Sequence, residues 1–158
     1  TNDIGALKAL NAAGGCATCQ IKYSILARAA EKDILPYCLE NNIGVLLRGP
    51  LDRGLLTGKF SEATRFDDQV RTQWNPDGKQ RETFLENLKT VEKLRTLVPE
   101  GRSLVDLAIG FTLANPAVTC PIPGMKTPEQ ARSNAAAADI ELDAATLGRI
   151  AELVPPAR

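Results

Sequence analysis

Apolar residues in this chain follow two alternating rhythms. Residues 3–13, DIGALKALNAA, have helical spacing and end at Gly14-Gly15, after which CATCQIKYSI is compatible with a strand. AEKDILPYCLENN resumes the helical period, with Ile34, Leu35, Cys38 and Leu39 on one face and Pro36 set to kink the helix or mark its first turn. The apolar run IGVLL follows and stops at Gly49-Pro50. ETFLENLKTVEKLRTLV and SLVDLAIGFTLAN are two amphipathic helices split by Pro99 to Gly101, and Pro116 precedes a third strand, AVTCPI. A helix opened by Thr127 and a last one, DAATLGRIAELV, capped by Asp143 and stopped by Pro155-Pro156, complete the pattern.

Strands alternating with helices require parallel pairing with right-handed crossovers, so the fold class is α/β. TCQIKYSI mixes polar and apolar residues, which suits a barrel wall with one face toward a site better than the apolar centre of a doubly wound sheet. No Gly-x-Gly-x-x-Gly follows a strand, which counts against a Rossmann domain. Residues 61–83 are charged and aperiodic, with Phe66 and Trp74 as their large anchors.

At 158 residues and 44% hydrophobic content, one domain with a sizeable core is expected. The 19 basic and 19 acidic residues balance, so no global field draws the chain to nucleic acid or an anionic membrane, and any anion site must be local. No apolar run approaches the roughly 20 residues of a membrane span and no leader pattern opens the chain, so a cytoplasmic location is expected. The chain opens at Thr1 without an initiator Met, already in a helical pattern, which suggests a piece of something longer. Cys16 and Cys19 form one Cys-x-x-Cys with no second pair and no histidine in the chain, so no metal site is expected. All four cysteines read as small buried apolar residues.

PIPGMKTPEQARSN, residues 121–134, contains a further signal. Thr127 reads as a helix cap, Pro128 as the first helical residue and Gln130 as the capping-box partner. Lys126 stands beside that terminus, where unpaired N–H groups and the helix dipole favour an anion; a structural cap would look the same. In an eight-stranded β/α barrel, phosphate is often held by the loops after strands seven and eight with a helix N-terminus. The last two strands here end in RGPLDRGLLTGKF and PIPGMKTPEQARSN, which favours the phosphate reading.

QIKYSI, GVLLRGPLDRGLLTGKF and IPGMKTPEQARSN, in that order and at these spacings, resemble the C-terminal half of bacterial aldo-keto reductases over nearly all of residues 1–158. The resemblance implies a partial (β/α)8 TIM barrel, strands six to eight with their helices, and NADPH-dependent reduction of a carbonyl substrate by hydride transfer. By the same resemblance Gln20 would hold the nicotinamide carboxamide, and Gly49, Pro50, Leu51, Arg53 and Gly54 would line the pyrophosphate. Gly124, Met125, Lys126 and Thr127 would hold the adenosine end, with Lys126 against the 2′-phosphate, Gln130 reaching the same phosphate and Asn134 the adenine. Two positions depart from the family pattern. Arg48 stands where many members have an aromatic residue stacked on the nicotinamide, and Ser133 where a glutamate often holds the adenine; an arginine reaching to solvent and a surface helix position are the competing readings. Residues 61–83 match a loop that folds over the cofactor in the family, and a solvated loop with one buried tryptophan is the competing reading.

The family's catalytic tyrosine, lysine, aspartate and histidine lie in the N-terminal half of the barrel. Tyr23 and Tyr37 fall in the wrong elements, so no catalytic residue is assigned. Three strands leave two sheet edges, which implies a missing N-terminal half or self-association. Two other functions fit the same residues: a non-catalytic nucleotide-binding subunit on this scaffold, or a phosphosugar-binding barrel enzyme in which Gln20 has no particular role.

Overall fold

Parallel pairing orders the whole molecule. In the computed structural model, which describes residues 1–156, β1 (Thr18–Lys22), β2 (Gly44–Arg48) and β3 (Val118–Ile122) form one sheet in the order β1-β2-β3, both pairs parallel. Helix α1 (Ile4–Gly14) precedes β1, and α2 (Ile34–Glu40) crosses from β1 to β2. The long connection from β2 to β3 contains α3 (Arg81–Arg95) and α4 (Leu104–Leu113), while α5 (Pro128–Ala136) and α6 (Ala144–Leu153) follow β3. No helix among the described residues is long and apolar enough to cross a membrane.

The helix starts are set by local chemistry. Asp3 accepts from the Ala6 N–H, Ser103 and Asp106 form a reciprocal capping box, and Asp143 accepts from the Thr146 N–H. Pro36 falls in the first turn of α2, where its missing N–H costs nothing, and the helix begins after Asp33 without a kink. The expected face of α2 holds for Ile34, Leu35 and Cys38, but Leu39 is 54% exposed. This seven-residue helix has a buried arc too narrow to include it.

Alternation along the strands gives the sheet two unlike faces. Cys19, Ile21, Val45 and Leu47 are buried in the main core with Leu107, Ala108 and Phe111 of α4. On the other face lie Gln20, Leu46 and Cys120 in one row and Lys22, Arg48 and Ile122 in the next. Gln20, Arg48, Cys120 and Ile122 are exposed, so no layer of the described residues covers this second face. Cys120 thus departs from the expectation of a buried thiol, and Cys16 is only half-buried. A parallel sheet normally has both faces covered.

Residues 61–83 fold around a second cluster of buried side chains, Leu55, Phe66, Trp74 and Phe84, with Phe60 packed against it. Trp74 stacks on Phe84 at 5.3 Å, and Phe66 meets both rings edge-on. The Asn75 side chain accepts from the Phe66 N–H and donates to its carbonyl, both at 2.9 Å. Arg81 donates to the carbonyls of Glu62 and Trp74, so the ends of the segment are tied as well.

Phe84 is fully buried, and its truncation tests how much this segment depends on the cluster. Phe84→Ala should cost about 3–5 kcal/mol and red-shift the emission of Trp74, the chain's single tryptophan. Urea denaturation followed by that fluorescence measures both effects.

Candidate functional site

The turn after β2 has an unusual backbone. Gly49, Asp52, Arg53 and Gly54 have φ of 70°, 42°, 58° and 95°, two glycines flanking two side-chain-bearing residues in the left-handed region. Short bonds hold this course: Asp52 N–H donates to the Gly49 carbonyl at 2.9 Å, and Gly54 N–H to the Leu51 carbonyl at 3.0 Å. A Cβ on Gly54 would stand 3.1 Å from the Phe60 ring in addition to its left-handed strain. Asp52 is buried, and its carboxylate meets the Lys22 ammonium at 3.0 Å, which ties the turn to the end of β1. Removing Lys22 would leave a buried carboxylate unpaired, a loss of about 1–3 kcal/mol.

The turn after β3 leads into α5. Thr127 Oγ1 accepts from the Gln130 N–H at 3.2 Å, and Pro128 occupies the first helical turn, as the sequence indicates. Gln130 reaches one residue further back than a capping box requires. Its Oε1 accepts from the Lys126 N–H at 2.7 Å. That bond fixes the backbone of Lys126 and leaves its side chain exposed.

Because β2 and β3 are neighbours and parallel, the two turns lie together and enclose a cleft of about 570 Å³. Gly49, Pro50, Leu51, Arg53 and Gly54 line it from the first turn, and Gly124, Met125, Lys126, Gln130 and Asn134 from the second. Ser133 is also in the wall. Lys59 and Arg71 join Arg53 and Lys126, so that among the described residues the lining has four cations and no carboxylate. Arg71 comes from the 61–83 segment, where Asp68 pairs with it at 2.7 Å and the rings of Phe60 and Phe66 flank its guanidinium. Asn134 is 9% exposed, and its Nδ2 has no hydrogen-bond partner. An orphaned buried donor in a cationic wall fits a polar, anionic ligand.

Gln20 and Arg48 lie outside this cleft, on the open face of the sheet, and Thr127 caps α5 beside it. The Thr1 nitrogen donates to the Gln20 carbonyl at 3.2 Å, and Asn2 Oδ1 accepts from the Lys22 N–H at 2.9 Å, so residues 1–2 run beside β1. Sequence reasoning did not single out Lys59 and Arg71. A second hollow of about 610 Å³ lies between the β1–α2 connection and residues 154–155, but its charges are mixed, with Lys22, Arg28 and Asp33. It contains none of the residues from the two turns. The cationic cleft is the better candidate because its charge has one sign.

The profile of the aldo/keto reductase family matches residues 3–155. The chain is 34% identical over 142 residues to an oxidoreductase of Bacillus subtilis described as uncharacterized, covering 89% of this chain and 41% of that protein. It is 35% identical over 137 residues to an Escherichia coli protein named NADH-specific methylglyoxal reductase, covering 84% of this chain and 41% of the relative. The solved structure of a glycerol dehydrogenase from Gluconobacter oxydans superposes with a TM-score of 0.82 at 27% identity, over 98% of this chain and 48% of that one. The chain therefore spans about two-fifths of the length of these curated relatives.

Other reactive groups lie apart from the cleft. Tyr23 is buried and donates to Glu31 at 2.6 Å; burial, then this bond and the Glu31 charge, raise its phenol far above the ordinary range, so it keeps its proton. Burial and the neighbouring Cys19 thiol push Cys38 up to about 11, a poor nucleophile at neutral pH. Among the described residues no group of three His, Cys, Asp or Glu could hold a metal ion. In a native-state titration with an aromatic disulfide reagent, exposed Cys120 should react first, and buried Cys19 and Cys38 only as the protein opens. Cys120→Ser should remove the fast phase, as absorbance of the released thiolate will show.

Proposed function

This chain belongs to the aldo/keto reductase family, and from that premise we propose that it is the cofactor-binding part of an NADPH-dependent oxidoreductase that reduces aldehydes or ketones. The observation that carries the reading is the cleft with four cations, no carboxylate and the orphaned Asn134 amide. In a chain of zero net charge, that concentration of cations suits a polyphosphate. Arg53 and the backbone of the left-handed turn would hold the pyrophosphate, Lys126 and Gln130 the 2′-phosphate, and Asn134 the adenine. Lys59 and Arg71 would add to the phosphate field, with Arg71 drawing residues 61–83 over the bound cofactor. Gln20 would orient the nicotinamide at the open face. When bound, NADPH supplies the hydride.

The sheet is read as strands six to eight of a (β/α)8 barrel, its open face being the barrel interior. Polypeptide beyond these 158 residues would cover that face, complete the carbonyl pocket and supply the acid. Among the described residues the cleft's lining contains no tyrosine, histidine, aspartate or glutamate to give that proton.

Family membership alone leaves the cofactor phosphate undecided, since one relative is named NADH-specific. Lys126 is the residue assigned to that choice. A charge-assisted bond to the 2′-phosphate is worth about 1.5–3 kcal/mol, so Lys126→Ala should weaken NADPH binding roughly ten- to a hundredfold and leave NADH nearly unchanged. Equal losses for both cofactors in fluorescence titrations would remove the assignment. The 158-residue chain alone should show weak NADPH binding, self-association or marginal stability, and no turnover of a reactive aromatic aldehyde followed by NADPH absorbance. Turnover comparable to that of a chain extended to the full family length would contradict the proposed division of the site.

A further inference from the structure

The open face of the sheet carries an unbalanced charge next to Gln20. Lys22, Arg48 and Ile122 stand in register at the carboxyl ends of the three strands, one pleat beyond Gln20, Leu46 and Cys120. Lys22 is answered by Asp52 at 3.0 Å. Arg48 is exposed, and among the described residues no carboxylate pairs with it. Among the side chains of these two rows Arg48 is therefore the cation left without a carboxylate, on a planar guanidinium that can lie flat against a ring; the Thr1 ammonium, on the Gln20 carbonyl at 3.2 Å, is the main-chain charge beside it and is the same in every Arg48 variant.

A nicotinamide ring is neutral when reduced and carries a positive charge when oxidised. We infer that Arg48 makes the site discriminate between the oxidation states of its cofactor, holding reduced nicotinamide in preference to the oxidised form. The inference rests on the cofactor reading above, which puts the ring at Gln20, diagonal to Arg48 across the β1–β2 pairing. Planar stacking is available to both forms, whereas charge repulsion acts on the oxidised one alone. The signature is therefore a difference between two affinities rather than a change in both.

Two like charges a few ångströms apart separate the affinities by several-fold in a water-like medium and by well over a hundredfold in a more protein-like one. The exposure of Arg48 puts the effect near the lower end, at about tenfold. For a two-electron couple, a tenfold preference raises the potential of the bound cofactor by about 30 mV. The site thus gives up some reducing power, and in return it favours NADPH from a mixed pool and releases NADP⁺ readily.

Titration calorimetry on the wild-type chain, Arg48→Gln and Arg48→Tyr, with NADPH, NADP⁺ and adenosine 2′,5′-bisphosphate, tests this. The preference for NADPH over NADP⁺ should shrink about tenfold in both variants, mostly through tighter NADP⁺ binding. The bisphosphate, which has no nicotinamide, should bind all three proteins alike. An unchanged preference overturns the inference, and so does a parallel loss of bisphosphate affinity, which would assign Arg48 to the phosphates. Failure of the wild-type chain to bind any of the three ligands would instead overturn the cofactor reading itself.

Discussion

Parallel pairing of β2 with β3 is the constraint on which the candidate site depends. Antiparallel neighbours could be joined by a hairpin, but parallel ones need a crossover, supplied here by α3 and α4. The crossover brings both carboxyl ends to the same sheet edge, so turns far apart in sequence share one cleft. Register matters as much as direction. A slip of one residue in β2 would bury Arg48 and expose Leu47, which is fully buried against the helices. The irregularity between Val45 and Leu46 sets the pairing of β2 with β3, and the buried α4 behind it makes a slip costly.

Within that frame the cleft is polarised by selection rather than by composition. The chain carries as many acids as bases, yet four cations and no acids reach this wall. Asp52 is the nearby exception, and its contact with Lys22 turns it away from the wall and toward β1. Non-glycine residues in sparsely populated backbone regions cost about 1–3 kcal/mol each, with Asp at the cheaper end, and Asp52 and Arg53 are two in succession. The ion pair and the short turn bonds hold them there. Strain kept in place this way points to a need for that backbone course. On the proposed reading the need is close approach to a pyrophosphate.

Elements set by local chemistry were legible in the sequence. Thr127 and Asp143 cap the helices they were assigned to, and glycine and proline mark both turns of the cleft. What stayed hidden depends on contacts distant in sequence. Lys59 and Arg71 reach the cleft because aromatic packing folds residues 61–83 back on themselves, and that segment has no periodicity to announce it. Leu39 and Cys120 were misjudged for a related reason. A strand or helix pattern tells which side chains share a face, but not whether that face has a partner.

The same separation bears on how binding and chemistry would divide. The cationic cleft, the phosphate end on the proposed reading, stands on two turns anchored in a closed core, with Leu55 and Leu56 of the first turn almost fully buried. The Gln20 end stands on an exposed sheet face, with Arg48, Cys120 and Ile122 open to solvent. Hydride transfer needs the reacting ring held to within fractions of an ångström in a water-poor setting, and an open face provides neither condition. Tyr23, the tyrosine nearest that end in sequence, is locked to Glu31 with its proton retained and is buried on the other side of the sheet. On the proposed reading, an anchored phosphate end beside an open ring end would let affinity come largely from these residues and leave rate to whatever covers the open face.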